Sequence, residues 1–271
     1  MSAAEEYVRA FHERLRRETE DYATRPLPGL RPVVEMRHVR LTFGKPVLEN
    51  LTLTAYRGET LLVVGESGAG KSTILKLILR LLVPDRGRIR VFGREITTLP
   101  FEDALELRRH IGTVFQQAAL FDSLSVYENV AYPLRENTDL RELDIEAVVR
   151  QRLEFVDLDP DQVMDQLPAE LSGGMRKRVG IARAIATEPD LILYDEPTAG
   201  LDPLKIKTIT ELIRKLQAQL GVTSVVVTHD LRTGFRVASR VNLLRDGRIT
   251  FEGTPAEMLD SDDPYIRRFL G

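Results

Sequence analysis

One run, ETLLVVGESGAGKST at residues 59–73, constrains this chain more than any other segment. Glu59–Val64 is mostly apolar and short, which suits a strand buried on both faces, and it leads directly into a glycine-rich loop. Gly65, four intervening residues, then Gly70-Lys71-Ser72 is a phosphate-loop spacing. Small residues let successive backbone N–H groups curl around a phosphate, and a helix predicted from Lys71 to about Leu82 would aim its positive end at the same anion. Gly65, Ser67, Gly68, Gly70, Lys71, Ser72 and Thr73 are therefore candidate phosphate-binding residues. Lys71 would reach the outer phosphates, and the Ser72 hydroxyl would bind Mg2+. Strand, loop and helix in that order call for an α/β fold with its ligand at the carboxyl ends of parallel strands.

The remaining elements fit such a sheet. From Val33 the pattern is one of short strands, VVEMRHVRLTF and ENLTLTAY, separated by Gly44 and Pro46, which reads as an antiparallel layer. A hairpin-like segment, RGRIRVFGREI, precedes the strand IGTVF at 111–115. Residues 118–170 read as helical and irregular, with Ser125 and Glu128 at capping-box spacing. Beyond them come LSGGM, a helix, the strand LILY, a long helix over about 204–220, the strand SVVVTHD, and a hairpin turning at Asp246-Gly247. Residues 2–22 have the periodicity of an amphipathic helix, ended by the stiff Arg25-Pro26-Leu27-Pro28-Gly29. The last stretch, DSDDPYIRRFLG, reads as a short capped helix whose Tyr265, Ile266 and Phe269 need a surface.

Chemistry gathers at the strand ends. Asp195 and Glu196 follow LILY, where a carboxylate can hold Mg2+ and its neighbour can polarise an attacking water. His229 ends SVVVT and can donate to a terminal phosphate oxygen, although a histidine in that place is usually structural when it stands alone. Gln116 follows another strand, and its amide can meet both the cation and the attacking water. Phe43, beside Gly44, is a candidate platform for adenine; the plainer reading is a core aromatic. In LSGGM, Ser172 can cap the helix while the free N–H groups of Gly173 and Gly174 face an anion. The chain thus carries two phosphate-seeking helix starts.

Composition removes other classes. Lys and Arg number 38 against 41 Asp and Glu, a net charge of −3, so no global positive field collects nucleic acid and none is expected as a partner. There are no cysteines, which excludes disulfides and thiolate metal sites. No apolar run approaches the about 18–20 residues needed to cross a bilayer, and the acid-rich N-terminus lacks a signal-peptide pattern, so a cytoplasmic location is expected.

Taken in order, the phosphate loop (Walker A), Gln116, LSGGM, LILYDE, the AGLD run and His229 resemble an ABC-transporter ATPase subunit over about residues 33–255. The resemblance implies a P-loop NTPase (RecA-like) core with an antiparallel β subdomain and a helical insert at about 117–180. Residues 1–32 would form an N-terminal helix and linker, and 256–271 a tail helix. It further implies ATP and Mg2+ as cofactors, with Lys71, Gln116, Glu196 and His229 catalytic and Ser72, Gln116 and Asp195 around the metal. Two copies would sandwich two ATPs, each held between Walker A of one chain and Ser172, Gly173 and Gly174 of the other, with Asp202 at the seam. One copy of each motif makes a homodimer the economical arrangement.

Met175 stands where many relatives carry glutamine. ALFDSLSVYENVAYPLRE at 119–136 resembles the same region in ATPases of MCE-linked bacterial lipid transporters, the Mla type. That resemblance implies an integral-membrane permease partner contacting this region, an MCE-domain protein, a small regulatory subunit, and a peripheral position on the cytoplasmic face of the bacterial inner membrane. Phospholipid movement between membranes is the favoured function. An osmolyte or amino-acid importer, a soluble non-transport ABC ATPase and an ATP-binding regulatory clamp remain the rivals.

Overall fold

The computed structural model describes residues 31–271; the helix expected over 2–22 and its linker lie outside them. The chain divides into two compact units, one formed by the residues up to Thr98 together with Thr223–Gly271, the other by Leu99–Val222.

In the first unit, strands β1 (Pro32–Phe43) and β2 (Lys45–Tyr56) pair antiparallel through Met36↔Leu53 and Leu41↔Leu48. Their inward residues Val34, Met36, Leu48, Leu51 and Leu53 are all but inaccessible to solvent. Strands β4 (Arg86–Val91) and β5 (Arg94–Glu95) complete a four-stranded layer in the order β2-β1-β4-β5. Strand β3 (Thr60–Val64) is buried at every position and lies parallel between β8 (Thr223–Thr228) and β9 (Arg240–Arg245). The apolar run around the loop therefore does what its composition demands. Strand β10 (Arg248–Gly253) closes the edge antiparallel to β9 through a turn at Asp246 and Gly247, whose φ of 49° and 70° are those of a tight hairpin.

A buried ion pair ties this unit together. The Arg240 guanidinium donates to Glu59 Oε1 at 2.7 Å and Oε2 at 3.2 Å, and also to Glu252 and the carbonyl of Thr54. Both charged side chains are almost wholly enclosed, at 7% and 4% exposure.

The helix after the loop spans Lys71–Ile78, shorter than the sequence predicts. Arg80 adopts a left-handed φ of 55°, Leu81 N–H returns to the Lys76 carbonyl, and the Arg80 side chain donates to the Ile96 carbonyl, so the chain leaves the helix axis before Leu82. The short capped helix expected in DSDDPYIRRFLG forms over Pro264–Leu270, and a further short helix, Pro255–Leu259, precedes it. Asp263 caps the second, Ile266 is buried, and the Tyr265 hydroxyl donates to Glu66 Oε1 at 3.0 Å. The surface this tail needs is thus supplied by its own unit.

The second unit contains the parallel strands β6 (Ile111–Val114) and β7 (Leu191–Asp195). Around them fall helices over Phe101–Arg109, Val126–Asn137, Glu142–Phe155, Pro160–Val163, Gly173–Ala184 and Pro203–Leu220. The capping box at Ser125 forms in both directions: Ser125 Oγ accepts from Glu128 N–H, and Glu128 accepts from Ser125 N–H at 2.8 Å. The α/β core, the antiparallel layer and the helical segments are the architecture the sequence predicts.

Candidate functional site

The phosphate loop is shaped by two close approaches. A Cβ on Gly65 would sit 2.4 Å from the Leu244 carbonyl oxygen, so only glycine lets β3 pass into the loop there. Gly70, at the cap of the following helix, has φ 100°, a backbone that side chains rarely adopt. Lys71 is buried and folds back over the loop, donating to the carbonyls of Gly65 at 2.9 Å and Glu66 at 3.0 Å. Its helix carries no acid in the first turn, which leaves the positive end of the dipole for an external anion. Ser72 and Thr73 are half-buried, and Ser67 and Gly68 are exposed.

Register places His229 beside this loop. Strands β3 and β8 run parallel with Val64 opposite Thr228, so Gly65 and His229 leave neighbouring carboxyl ends. His229 is exposed, while Asp230 turns the chain by capping the next helix through Thr233 N–H. Phe43 ends β1 with 58% exposure, so it is no part of the core.

The second unit brings its own residues together in the same way. Val114 lies opposite Tyr194 in the parallel β6–β7 pair, so Gln116 and the Asp195-Glu196 pair leave adjacent strand ends. Asp195 and Glu196 are half-buried. Glu196 has φ 47°, a left-handed conformation that costs a non-glycine residue energy and is met most often at functional positions. Lys177, in the helix that follows LSGGM, was not singled out by sequence reasoning. It is only 5% exposed and donates to the Gln116 carbonyl. Burial lowers its pKa, and the negative charge of Glu196 pulls it back up. The signal available was helical spacing: Gly174, Lys177, Ile181 and Ala184 form one buried stripe.

The LSGGM segment is a capped helix start. Ser172 Oγ accepts from Met175 N–H at 3.3 Å, both glycines lie beyond the cap, and no acid occupies the first turn. Asp202 caps the helix at Pro203 by accepting from Lys205 N–H at 3.0 Å, and pairs with the Lys205 ammonium at 2.6 Å. Hydrogen bonding to Lys205 holds its carboxyl below the usual range. The Lys205 stem lies against Gly174, where a Cβ would meet Cδ at 3.0 Å, so the Asp202 turn and the signature glycines are packed together.

Ser72, Gln116 and Asp195 offer a hydroxyl, an amide oxygen and a carboxylate. Each is a hard-oxygen donor of the kind Mg2+ accepts, Ser72 in the first unit and Gln116 and Asp195 in the second. Among the described residues no group of three or more His, Cys, Asp or Glu is placed to hold a metal ion. No helix among them is long and apolar enough to cross a membrane.

Comparison with known proteins identifies the family. Residues 48–199 match the family model described as ABC transporter. The chain is 38% identical over 239 residues to the intermembrane phospholipid transport system ATP-binding protein MlaF of Haemophilus influenzae, covering 88% of this chain and 90% of that one. It is equally 38% identical over 238 residues to the probable ribonucleotide transport ATP-binding protein mkl of Mycobacterium tuberculosis, covering 88% of this chain and 66% of mkl. A solved ATP-binding cassette, dimeric in a post-hydrolysis state with ADP and Pi, superposes with a TM-score of 0.76 at 33% identity over 82% of this chain and 98% of that one. By its motifs, its fold and these relationships, the chain belongs to the ABC transporter family and is the ATP-hydrolysing subunit of a transport system.

Proposed function

We propose that two copies of this chain close around two Mg·ATP and drive a separate permease that moves phospholipid between membranes. The observation that carries the dimer is the pairing of motifs. One chain has a glycine-loop helix start and a serine-capped one, neither with an acid in its first turn, and a single copy of each. Two such starts facing one triphosphate from opposite chains satisfy both.

In this reading Gly65, Ser67, Gly68, Gly70 and Thr73 cradle the phosphates, and Lys71 neutralises their outer charge. Ser72, Gln116 and Asp195 would hold the cation, which would supply charge neutralisation to the triphosphate. Glu196 orients and deprotonates water, His229 donates to the γ-phosphate, and Phe43 stacks on adenine. Ser172, Gly173 and Gly174 bind the γ-phosphate of the partner's ATP, with Asp202 at the seam. Closure is favoured by ATP because its γ-phosphate makes contacts that exist only in the closed state.

One observation supports the membrane partner. A groove of ≈340 Å³ in the second unit is lined by Phe115, Phe121, Tyr132, Arg108 and Arg183 among others, and Phe121 and Tyr132 are each 44% exposed. Exposed aromatics beside half-buried arginines suit a docking helix. The phospholipid cargo rests on the match to MlaF over nearly the whole of both chains, whereas mkl is matched over a smaller share of its length. An MCE protein and a small regulatory subunit complete the proposed assembly, on the cytoplasmic face of the inner membrane. The test is purification of the chain with its native membrane partners, followed by mass spectrometry of bound small molecules. Phospholipid and an MCE protein are expected; a solute-binding protein in their place would refute the lipid reading.

A further inference from the structure

We propose that Lys177 is a positioning residue that, together with Arg183, clasps the main chain of the Gln116 loop to the signature helix, so that Ser172 and Gln116 move as one body. The inference rests on the reading above, in which Gln116 serves the ATP of its own chain and Ser172 that of the partner, and adds a physical link between the two sites that neither motif specifies.

Three positions at helical spacing make the clasp. The Lys177 ammonium donates to the Gln116 carbonyl. One turn on, Gly180 lies against Ala118, where an added Cβ would be 3.2 Å from Ala118 Cβ. One turn further, the two terminal nitrogens of Arg183 donate to the carbonyls of Ala119 at 2.8 Å and Ala118 at 2.9 Å. Positions 177, 180 and 183 share a helix face, so the loop is pinned along almost two turns of the helix that Ser172 begins. The loop bends to meet it: Ala118 and Ala119 have φ of 61° and 47°, two consecutive left-handed alanines. That backbone is unfavourable for alanine, so the surrounding contacts must hold it in place.

The far side of the loop is held as well. Asn129, wholly buried, accepts from Phe121 N–H at 2.8 Å and donates to the carbonyls of Phe121 and Leu124. The Arg183 guanidinium lies 5.8 Å from the centre of the Phe121 ring, which in turn sits 5.0 Å from Tyr132. One arginine therefore grips the loop and braces the aromatic wall of the groove. Packing alone does not explain Lys177. A neutral side chain would fill the same space without the cost of enclosing an ammonium, whereas an ammonium is needed where a carbonyl must be held firmly.

The test compares Lys177→Met and Lys177→Arg in the full chain, both alone and in the complex purified with its membrane partners. Lys177→Met is expected to lower kcat about tenfold while KM for ATP stays within about twofold, because phosphate binding is untouched. Lys177→Arg is expected to restore most of the loss, since a guanidinium also reaches a carbonyl. Hydrogen exchange supplies a readout that general loosening would not imitate. In the wild type, adding ATP should protect residues 116–121 together with 173–184. In Lys177→Met, protection should persist at 173–184 and fail at 116–121, with β6 and β7 unchanged. An unaltered kcat, a failure of arginine to rescue, or exchange raised throughout the second unit would overturn the clasp. If the methionine variant does not fold, Arg183→Lys, which keeps the charge but grips one carbonyl at most, should show the same split, and unchanged coupled protection there would overturn it too. Full hydrolysis by Ser172→Arg would instead sink the reading on which the clasp rests, whatever Lys177 does.

Discussion

Ser172 separates a structural role from a chemical one with unusual clarity. The structure gives it one local duty, a hydrogen bond of 3.3 Å from Met175 N–H at an exposed helix start. A cap that long and that exposed contributes about 0.5–1 kcal/mol. Removing it by Ser172→Ala should lower Tm by no more than about 2–4 °C in a chain of this size. Against a total stability of about 10 kcal/mol, the protein stays folded. If the hydroxyl also meets the partner's γ-phosphate, loss of one preorganised donor should lower kcat by about a hundredfold or more. Ser172→Asp sharpens the contrast. Aspartate caps a helix as well as serine and suits the dipole, so stability should hold or rise, yet its charge repels a phosphate. Phosphate release, thermal melting and binding of a fluorescent ATP analogue, run on the three proteins side by side, give the answer. The expected pattern is intact folding and intact nucleotide binding, with hydrolysis weakened in Ser172→Ala and lost in Ser172→Asp. Wild-type turnover by Ser172→Asp would refute the reasoning.

Other expectations follow from the same structure. Arg240→Met strands the enclosed Glu59 carboxylate and should cost about 3–5 kcal/mol in urea unfolding; Arg240→Met combined with Glu59→Gln should recover part of it, and a single-variant loss under about 1 kcal/mol would show that the pair is not holding the unit. Glu196→Gln should bind ATP and accumulate a closed dimer on size exclusion, whereas normal turnover would remove Glu196 from its role as base. Stripping Mg2+ with a chelator should stop hydrolysis and leave a fluorescent ATP analogue bound, and chelator-resistant turnover would dismiss Ser72, Gln116 and Asp195 as a metal set.

What the sequence made legible was local. The phosphate loop, the Ser125 capping box and the Asp246-Gly247 turn each depend on residues within a few positions of one another, and each forms as its pattern implies. Helix length was less legible, because the end at Ile78 depends on Arg80 reaching the distant Ile96 carbonyl. Strand order was hidden for a similar reason. That β3 lies between β8 and β9 is decided by pairings more than 150 residues apart in the chain, as in Leu62↔Val226, and periodicity carries no such information. Phe43 needed the structure to remove it from the core. Lys177 was masked by its arginine neighbours: a cation in a charged run looks solvated until the buried stripe of its helix is drawn through it.

The central claim is that each ATP is split between two chains, and mixing two dead proteins tests it most directly. Lys71→Ala spoils only the phosphate loop of its own chain, and Ser172→Arg spoils only the signature. If the sites are shared, a mixed dimer gathers both defects at one ATP and leaves the other site intact. With random pairing, the equimolar mixture should recover about a quarter of wild-type hydrolysis. If every chain completes its own site, the mixture will be as inactive as its two components.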